Sequence, residues 1–170
     1  IPMSQRVAVV TGGAGGVGTA ICIALANAGH KVISADVIAN TPEGEQWLNE
    51  CTNAGATVDL VHMDVTDFDS CQAAIADVEA KHGPVDILVN CAGITRDGTF
   101  KRMTLDQWRA VLSTNLDSVF NVTKNVVDGM AERKFGRIIN ISSLNGEKGQ
   151  FGQSNYSAAK GGMHGFTMAL

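Results

Sequence analysis

No Cys-x-x-Cys and no His-x-x-x-His spacing occurs in this chain, which removes the usual signatures of zinc sites, redox dithiols and disulfide frameworks. The cysteines stand at 22, 51, 71 and 91 and the histidines at 30, 62, 82 and 164. Three of the cysteines fall in apolar or helical contexts and read as inert core thiols of a reducing compartment, the cytoplasm. No apolar run approaches the roughly 18 residues of a membrane span, so no membrane segment is expected. Positive charge is not in excess either: 13 Lys and Arg against 17 Asp and Glu leave a net charge of −4. Such a surface repels polyphosphate backbones and argues against a nucleic-acid partner. Internal repeats and low-complexity segments are absent. Nothing resembles a signal peptide, and Ile1-Pro2 ahead of Met3 reads as a leftover of expression.

What is present fits one domain spanning residues 1–170, long enough to bury a core, with 45% hydrophobic and 18% charged residues. Short apolar runs alternate with helical patterns. The runs are Arg6 to Thr11, Lys31 to Asp36, Thr57 to Met63, Val85 to Asn90 and Arg137 to Ser142. Between them lie helical stretches to Ala28, from Pro42 to Ala54 and from Asp67 to His82, and a longer one with a break near Asn115 that continues to Lys134. Thr104-Leu105-Asp106-Gln107 opens that last stretch with the form of a capping box. A glycine-rich loop then leads to a final helix beginning near Asn155, in which the sequence stops at Leu170 without a capping glycine. The pattern predicts an α/β, doubly wound parallel sheet covered on both faces, truncated before its C-terminal strands.

Thr11-Gly12-Gly13-Ala14-Gly15-Gly16-Val17-Gly18 sits between the first strand and its helix. Glycine there permits positive φ and lets backbone N–H groups approach phosphate, with the helix N-terminus facing a pyrophosphate. Asp36 follows at the end of the second strand, where a carboxylate accepts both ribose hydroxyls of an adenosine and meets a 2′-phosphate unfavourably. The next residues, Val37-Ile38-Ala39-Asn40, supply no cation. NADH is therefore favoured, with NADPH as the alternative; the other reading of Asp36 is a plain strand-ending turn. Asp64-Val65 and Asn90-Cys91-Ala92-Gly93 end the third and fourth strands on the same edge and are candidates for lining adenine and ribose. Asp64 reads equally as a turn or helix N-terminal acid.

Tyr156 and Lys160 lie one helical turn apart and project from one face. A phenol with an ordinary pKa of about 10 yields its proton poorly near neutrality, and a neighbouring ammonium favours the phenolate. Tyr156 then serves as general acid to a carbonyl oxygen, or as base in alcohol oxidation. Ser143, ending the fifth strand, donates to the same oxygen.

Thr11-Gly12-x-x-x-Gly16-x-Gly18, Asn90-x-Ala92-Gly93, Asn115, Ser143 and Tyr156-x-x-x-Lys160 together resemble the short-chain dehydrogenase/reductase family over nearly the whole chain. The resemblance implies a Rossmann-type domain and a catalytic tetrad of Asn115, Ser143, Tyr156 and Lys160, the lysine also holding the nicotinamide ribose. It further implies a homotetramer built through Leu116 to Lys134 and the helix from Asn155. Cys91 departs from the family's usual asparagine. Gly93-Ile94-Thr95-Arg96-Asp97, Asn140 to Gly146 and Lys148 to Tyr156 are similar to members that reduce acetoacetyl-CoA to (R)-3-hydroxybutanoyl-CoA for polyhydroxybutyrate synthesis. That similarity implies Asp97, Ser143, Gln150, Phe151, Gly152, Gln153 and Tyr156 as substrate contacts. Phe151 reads otherwise as a loop aromatic covering the core, and Arg96, Lys101 and Arg102 read either as CoA-phosphate contacts or as solvated charges. Three other functions stay open: reduction of 3-oxoacyl thioesters on acyl-carrier protein, oxidation of a 3-hydroxy acid or its thioester, and a non-catalytic dinucleotide-binding fragment.

Overall fold

The computed structural model describes residues 5–170; Ile1 and Pro2, read above as a leftover of expression, lie outside the described residues. Five parallel strands form one sheet in the order β3-β2-β1-β4-β5. They are β1 (Val7–Thr11), β2 (Lys31–Asp36), β3 (Val58–His62), β4 (Val85–Asn90) and β5 (Arg137–Asn140). Helices α1 (Gly16–Asn27), α2 (Pro42–Asn53) and α3 (Phe68–His82) connect the first four strands. Between β4 and β5 run α4 (Leu105–Leu112), a π-helical turn Ser113–Asp117, α5 (Ser118–Thr123) and α6 (Val127–Glu132). A four-residue α7 (Asn145–Lys148) and the long α8 (Ser154–Ala169) follow. This is the expected doubly wound arrangement, and its strand order reverses between β1 and β4, where open parallel sheets leave a crevice at their carboxyl edge.

Alternation along β1 explains why both faces are covered. Val7 and Val9 point into one buried cluster with Ile33, Leu88, Ile75, Val78 and Val122. Ala8 and Val10 point into the other with Cys22, Val32, Trp47 and Val89. Burying each such valine or leucine contributes about 1.5–3 kcal/mol, so the central strands anchor the loops at their ends. Trp47 adds a polar tie, donating Nε1–H to Thr19 Oγ1 at 2.8 Å. Caps fix where helices begin: Thr104 and Gln107 form the complete capping box of α4, and Thr41 accepts from Gly44 N with Pro42 opening α2.

Two expectations change. The fifth strand stops at Asn140 rather than Ser142: Ile141 N still donates to Asn90 O at 3.0 Å, but its carbonyl accepts from Lys160 Nζ of α8 at 2.6 Å, and Ser142 Oγ donates to Lys160 O at 3.1 Å. The long helix ending near Lys134 is interrupted at Lys124 to Val126. There Asn125 and Val126 make tighter i→i−3 bonds, and the Asn125 side chain donates to Asn121 O at 2.7 Å, a side-chain bond that competes with regular helix.

Candidate active site

The turn after β1 is shaped by close approach. Gly12 has φ +61, and a Cβ on it would stand 2.8 Å from Ala92 Cα; only glycine lets the β1 and β4 loops meet there. A Cβ on Gly18 would collide with the Gly12 carbonyl oxygen. Thr11 Oγ1 accepts from Cys91 N and Ala92 N at 3.1 and 3.2 Å, tying the two loops together. The N-cap of α1 is Gly15, with no side-chain cap and no acid in the first turn. Its first N–H groups therefore remain available to an anion, and the helix dipole favours one.

A cleft of about 520 Å³ opens at this point, within the size range of small-molecule sites. Of the expected cofactor residues, Gly12, Gly15, Gly16, Val17, Gly18, Asp36, Asp64, Val65, Ala92 and Gly93 line it, and Cys91 from the same segment does too. Gly13 and Asn90 sit behind its wall. A Cβ on Gly13 would press on Ser34 Oγ, and the buried Asn90 amide donates to Thr123 Oγ1 and Asn140 Oδ1. Val37, Ile94 and Thr114 also line the cleft and were not singled out for it from sequence. Each is a direct neighbour of a residue that was named, and apolar or small side chains carry no chemical signal of their own.

Asp36 is held in place by Ala14 N and Ile38 N, each donating to one carboxylate oxygen at 3.3 Å. Asp64 accepts from Thr66 N and Thr66 Oγ1 at 2.9 and 2.7 Å, so it organises its own turn while facing the cleft.

Beside Gly93 lie Asn115 and Lys160. Asn115 is 0% exposed inside the π-helical turn, an irregularity frequent at functional sites. Its Nδ2 donates to Ile94 O and Val111 O at 2.9 Å each, while its Oδ1 is buried without a partner. A Cβ on Gly93 would lie 2.6 Å from that oxygen and 3.8 Å from Lys160 Nζ, so both atoms face one spot on the wall of the cleft. Lys160 is 3% exposed, and burial holds its pKa below the usual lysine range, with the Cys91 thiol working weakly the other way. Its Nζ lies 5.8 Å from the centroid of the Tyr156 ring.

The start of α8 is pinned by Asn155, fully buried, whose Nδ2 donates to Arg96 O at 3.0 Å and Gln107 O at 3.3 Å and whose Oδ1 accepts from Tyr156 N at 2.8 Å. Ser143 Oγ accepts from Asn145 N at 3.2 Å, which leaves its hydroxyl hydrogen free to donate elsewhere. Among the expected substrate residues, Gln153 donates to Asp97 Oδ2 at 3.0 Å, and Gly98 N donates to Gly152 O at 2.9 Å. Gln150 accepts from Lys148 at the surface. Phe151 is 87% exposed and covers no core. Among the described residues no three His, Cys, Asp or Glu side chains gather as a metal site would need, and no helix is long and apolar enough to cross a membrane.

The close approach of the β1 and β4 loops and a helix N-terminus left without an acid suit a dinucleotide phosphate at the head of this cleft. The chain belongs to the short chain dehydrogenase family, whose model matches residues 6–170, and an NAD(P) dinucleotide comes with that membership. Among curated relatives, an acetoacetyl-CoA reductase of Cupriavidus necator is 55% identical over 99% of this chain and 68% of its own length. A 3-oxoacyl-[acyl-carrier-protein] reductase of Escherichia coli (strain K12) is 41% identical over 97% of this chain and 66% of its own. The crystal structure of gox2181 superposes with a TM-score of 0.91 at 37% identity, covering 99% of this chain and 66% of that one. The chain thus spans about two thirds of the length of these relatives.

Proposed function

We propose that the protein reduces acetoacetyl-CoA to (R)-3-hydroxybutanoyl-CoA, the monomer thioester of polyhydroxybutyrate, with NADH as reductant, in a cytoplasmic homotetramer. For the chemistry, the observation that carries the reading is the convergence of Asn115 Oδ1 and Lys160 Nζ on Gly93, at the end of the cleft shaped by Gly12 and Gly18. For the substrate, it is the similarity to acetoacetyl-CoA reductases, stronger than that to the carrier-protein reductase.

The Gly12 to Gly18 turn and Asp36 would hold the dinucleotide, which would supply the hydride when bound. The Tyr156 hydroxyl gives its proton to the substrate's ketone oxygen, so the carbonyl gains a hydride at carbon and a proton at oxygen and leaves as the alcohol. Ser143 donates its hydroxyl hydrogen to that same oxygen while one of its lone pairs accepts from Asn145 N. Lys160 is kept beside Tyr156 by its bond to Ile141 O, and its ammonium stabilises the phenolate that forms as Tyr156 gives up its proton. The partnerless Asn115 Oδ1 is an acceptor for a group that enters the site. Asp36, with Val37 and no cation after it, favours a free ribose over a phosphorylated one.

Initial rates with acetoacetyl-CoA, acetoacetyl-carrier protein and free acetoacetate test the substrate. The CoA thioester is expected to exceed both others by at least tenfold in kcat/KM. Preference for the carrier-protein thioester would assign the chain to fatty-acid reduction, and turnover of free acetoacetate alone would assign it to a hydroxy-acid dehydrogenase.

A further inference from the structure

The short α7 and the start of α8 are joined by a relay of amides. Asn145 Nδ2 donates to Gln153 Oε1 at 2.8 Å, and Gln153 Nε2 donates to Asp97 Oδ2 at 3.0 Å. Only one arrangement satisfies both bonds: the Asp97 carboxylate accepts and never donates when ionised, so the nitrogen of Gln153 must face it and the oxygen must face Asn145. Gln153 is the N-cap residue of α8, three positions before Tyr156, and its carbonyl accepts from Ser157 N at 2.8 Å. Asn145 meanwhile gives its backbone N–H to Ser143. One residue thus touches the serine through its main chain and the first turn of the tyrosine's helix through its side chain.

We propose that Asn145 is a positioning residue for the reduction, its side-chain amide holding Gln153 in the orientation that the Asp97 carboxylate sets and so fixing the placement of Gln153, Asp97 and the loop around Gly98 against Gly152. The inference rests on the proposed reductase reading and deepens it, because Asp97 and Gln153 are expected to contact the thioester. Polarity is the part that can be tested without changing shape. Asn145→Asp keeps the backbone N–H to Ser143 but sets an acceptor against Gln153 Oε1. If Gln153 then flips, its oxygen meets the Asp97 carboxylate instead, so neither orientation satisfies the relay. Adding Asp97→Asn repairs it in reverse: the carboxylate introduced by Asn145→Asp accepts from the flipped Gln153 nitrogen, and the amide introduced by Asp97→Asn donates to the flipped oxygen. Asp97→Asn alone leaves the native direction intact, since an amide oxygen still accepts from Gln153.

The experiment is a double-mutant cycle on the full-length enzyme, reading KM and kcat for acetoacetyl-CoA, the dissociation constant for NADH, and the melting temperature. Asn145→Asp alone is expected to raise KM for acetoacetyl-CoA five- to tenfold and to lower the melting temperature, with NADH binding unchanged. In the Asp97→Asn background the same change is expected to raise KM less than twofold and to leave the melting temperature near that of Asp97→Asn. Equal effects of Asn145→Asp in both backgrounds, or no effect in either, would overturn the proposal. A wild-type enzyme inactive on acetoacetyl-CoA would sink the substrate reading instead, and the cycle in melting temperature would still decide whether the relay couples Asn145 to Asp97.

Discussion

Lys160 Nζ stands 2.6 Å from the Ile141 carbonyl oxygen, at the point where β5 has ended and the chain crosses toward α8. The bond holds a buried amine between the strand edge that leads to Ser143 and the helix that carries Tyr156. Burial disfavours the charged amine and lowers its pKa from an ordinary value near 10.5. Between that lowered value and 10.5 the unfolded chain binds more protons than the folded one, so stability rises with pH across the window and the burial cost is fully present below it. Lys160→Met has no such titration. Urea unfolding is expected to show wild type gaining on Lys160→Met as pH climbs from 7 toward about 10. A difference independent of pH would mean that the lysine is not held in the buried state described. The same variant is expected to lose turnover and to bind NADH more weakly.

Asp36 sets the second prediction. Catalytic efficiency with NADH is expected to exceed that with NADPH by at least tenfold. Asp36→Ser removes the carboxylate but keeps a small polar side chain near Ala14 N, and is expected to lower NADH efficiency while raising that with NADPH. Steady-state kinetics with both cofactors check this. A wild-type preference for NADPH would contradict the role given to Asp36.

Cys91 is half-buried in the wall of the cleft. Its thiol is pushed up by burial, with Lys160 partly offsetting this. Cys22 and Cys71 are pushed up to about 12 by burial, and Cys51 is raised for the same reason. Since the thiolate is the reactive form, alkylation of the native protein followed by mass spectrometry is expected to modify Cys91 slowly, faster as pH rises, and the other three scarcely at all. Bound NADH is expected to slow Cys91 labelling at least fivefold. Labelling indifferent to NADH would place the dinucleotide elsewhere.

The strands were legible because burial on both sheet faces writes continuous apolar runs, and Lys31–Asp36 and Val85–Asn90 end where the pattern ends. The capping box at Thr104 was legible because its chemistry is local. The irregular segments were less so. Asn115 was marked by the family resemblance and by a break in a helical pattern; that its amide would reach Ile94 O depends on a tertiary contact. The early end of β5 depends likewise on α8 offering Lys160 to Ile141. Asn145 lay in a glycine-rich loop with no helical pattern, and its partnership with Gln153 closes an eight-residue span that no periodicity marks. Asn90 carried a family motif toward the cofactor, yet its side chain is engaged with Thr123 and Asn140 behind the cleft.

The central claim is that Tyr156 delivers the proton, and replacing it with phenylalanine removes the only phenol in the chain. Single-turnover reduction of acetoacetyl-CoA by NADH-loaded Tyr156→Phe enzyme is expected to be slower than wild type by about 10²–10⁴-fold, the usual worth of general acid catalysis. NADH affinity should stay within threefold. Hydride transfer within tenfold of wild type, with NADH equally well bound, would contradict the account.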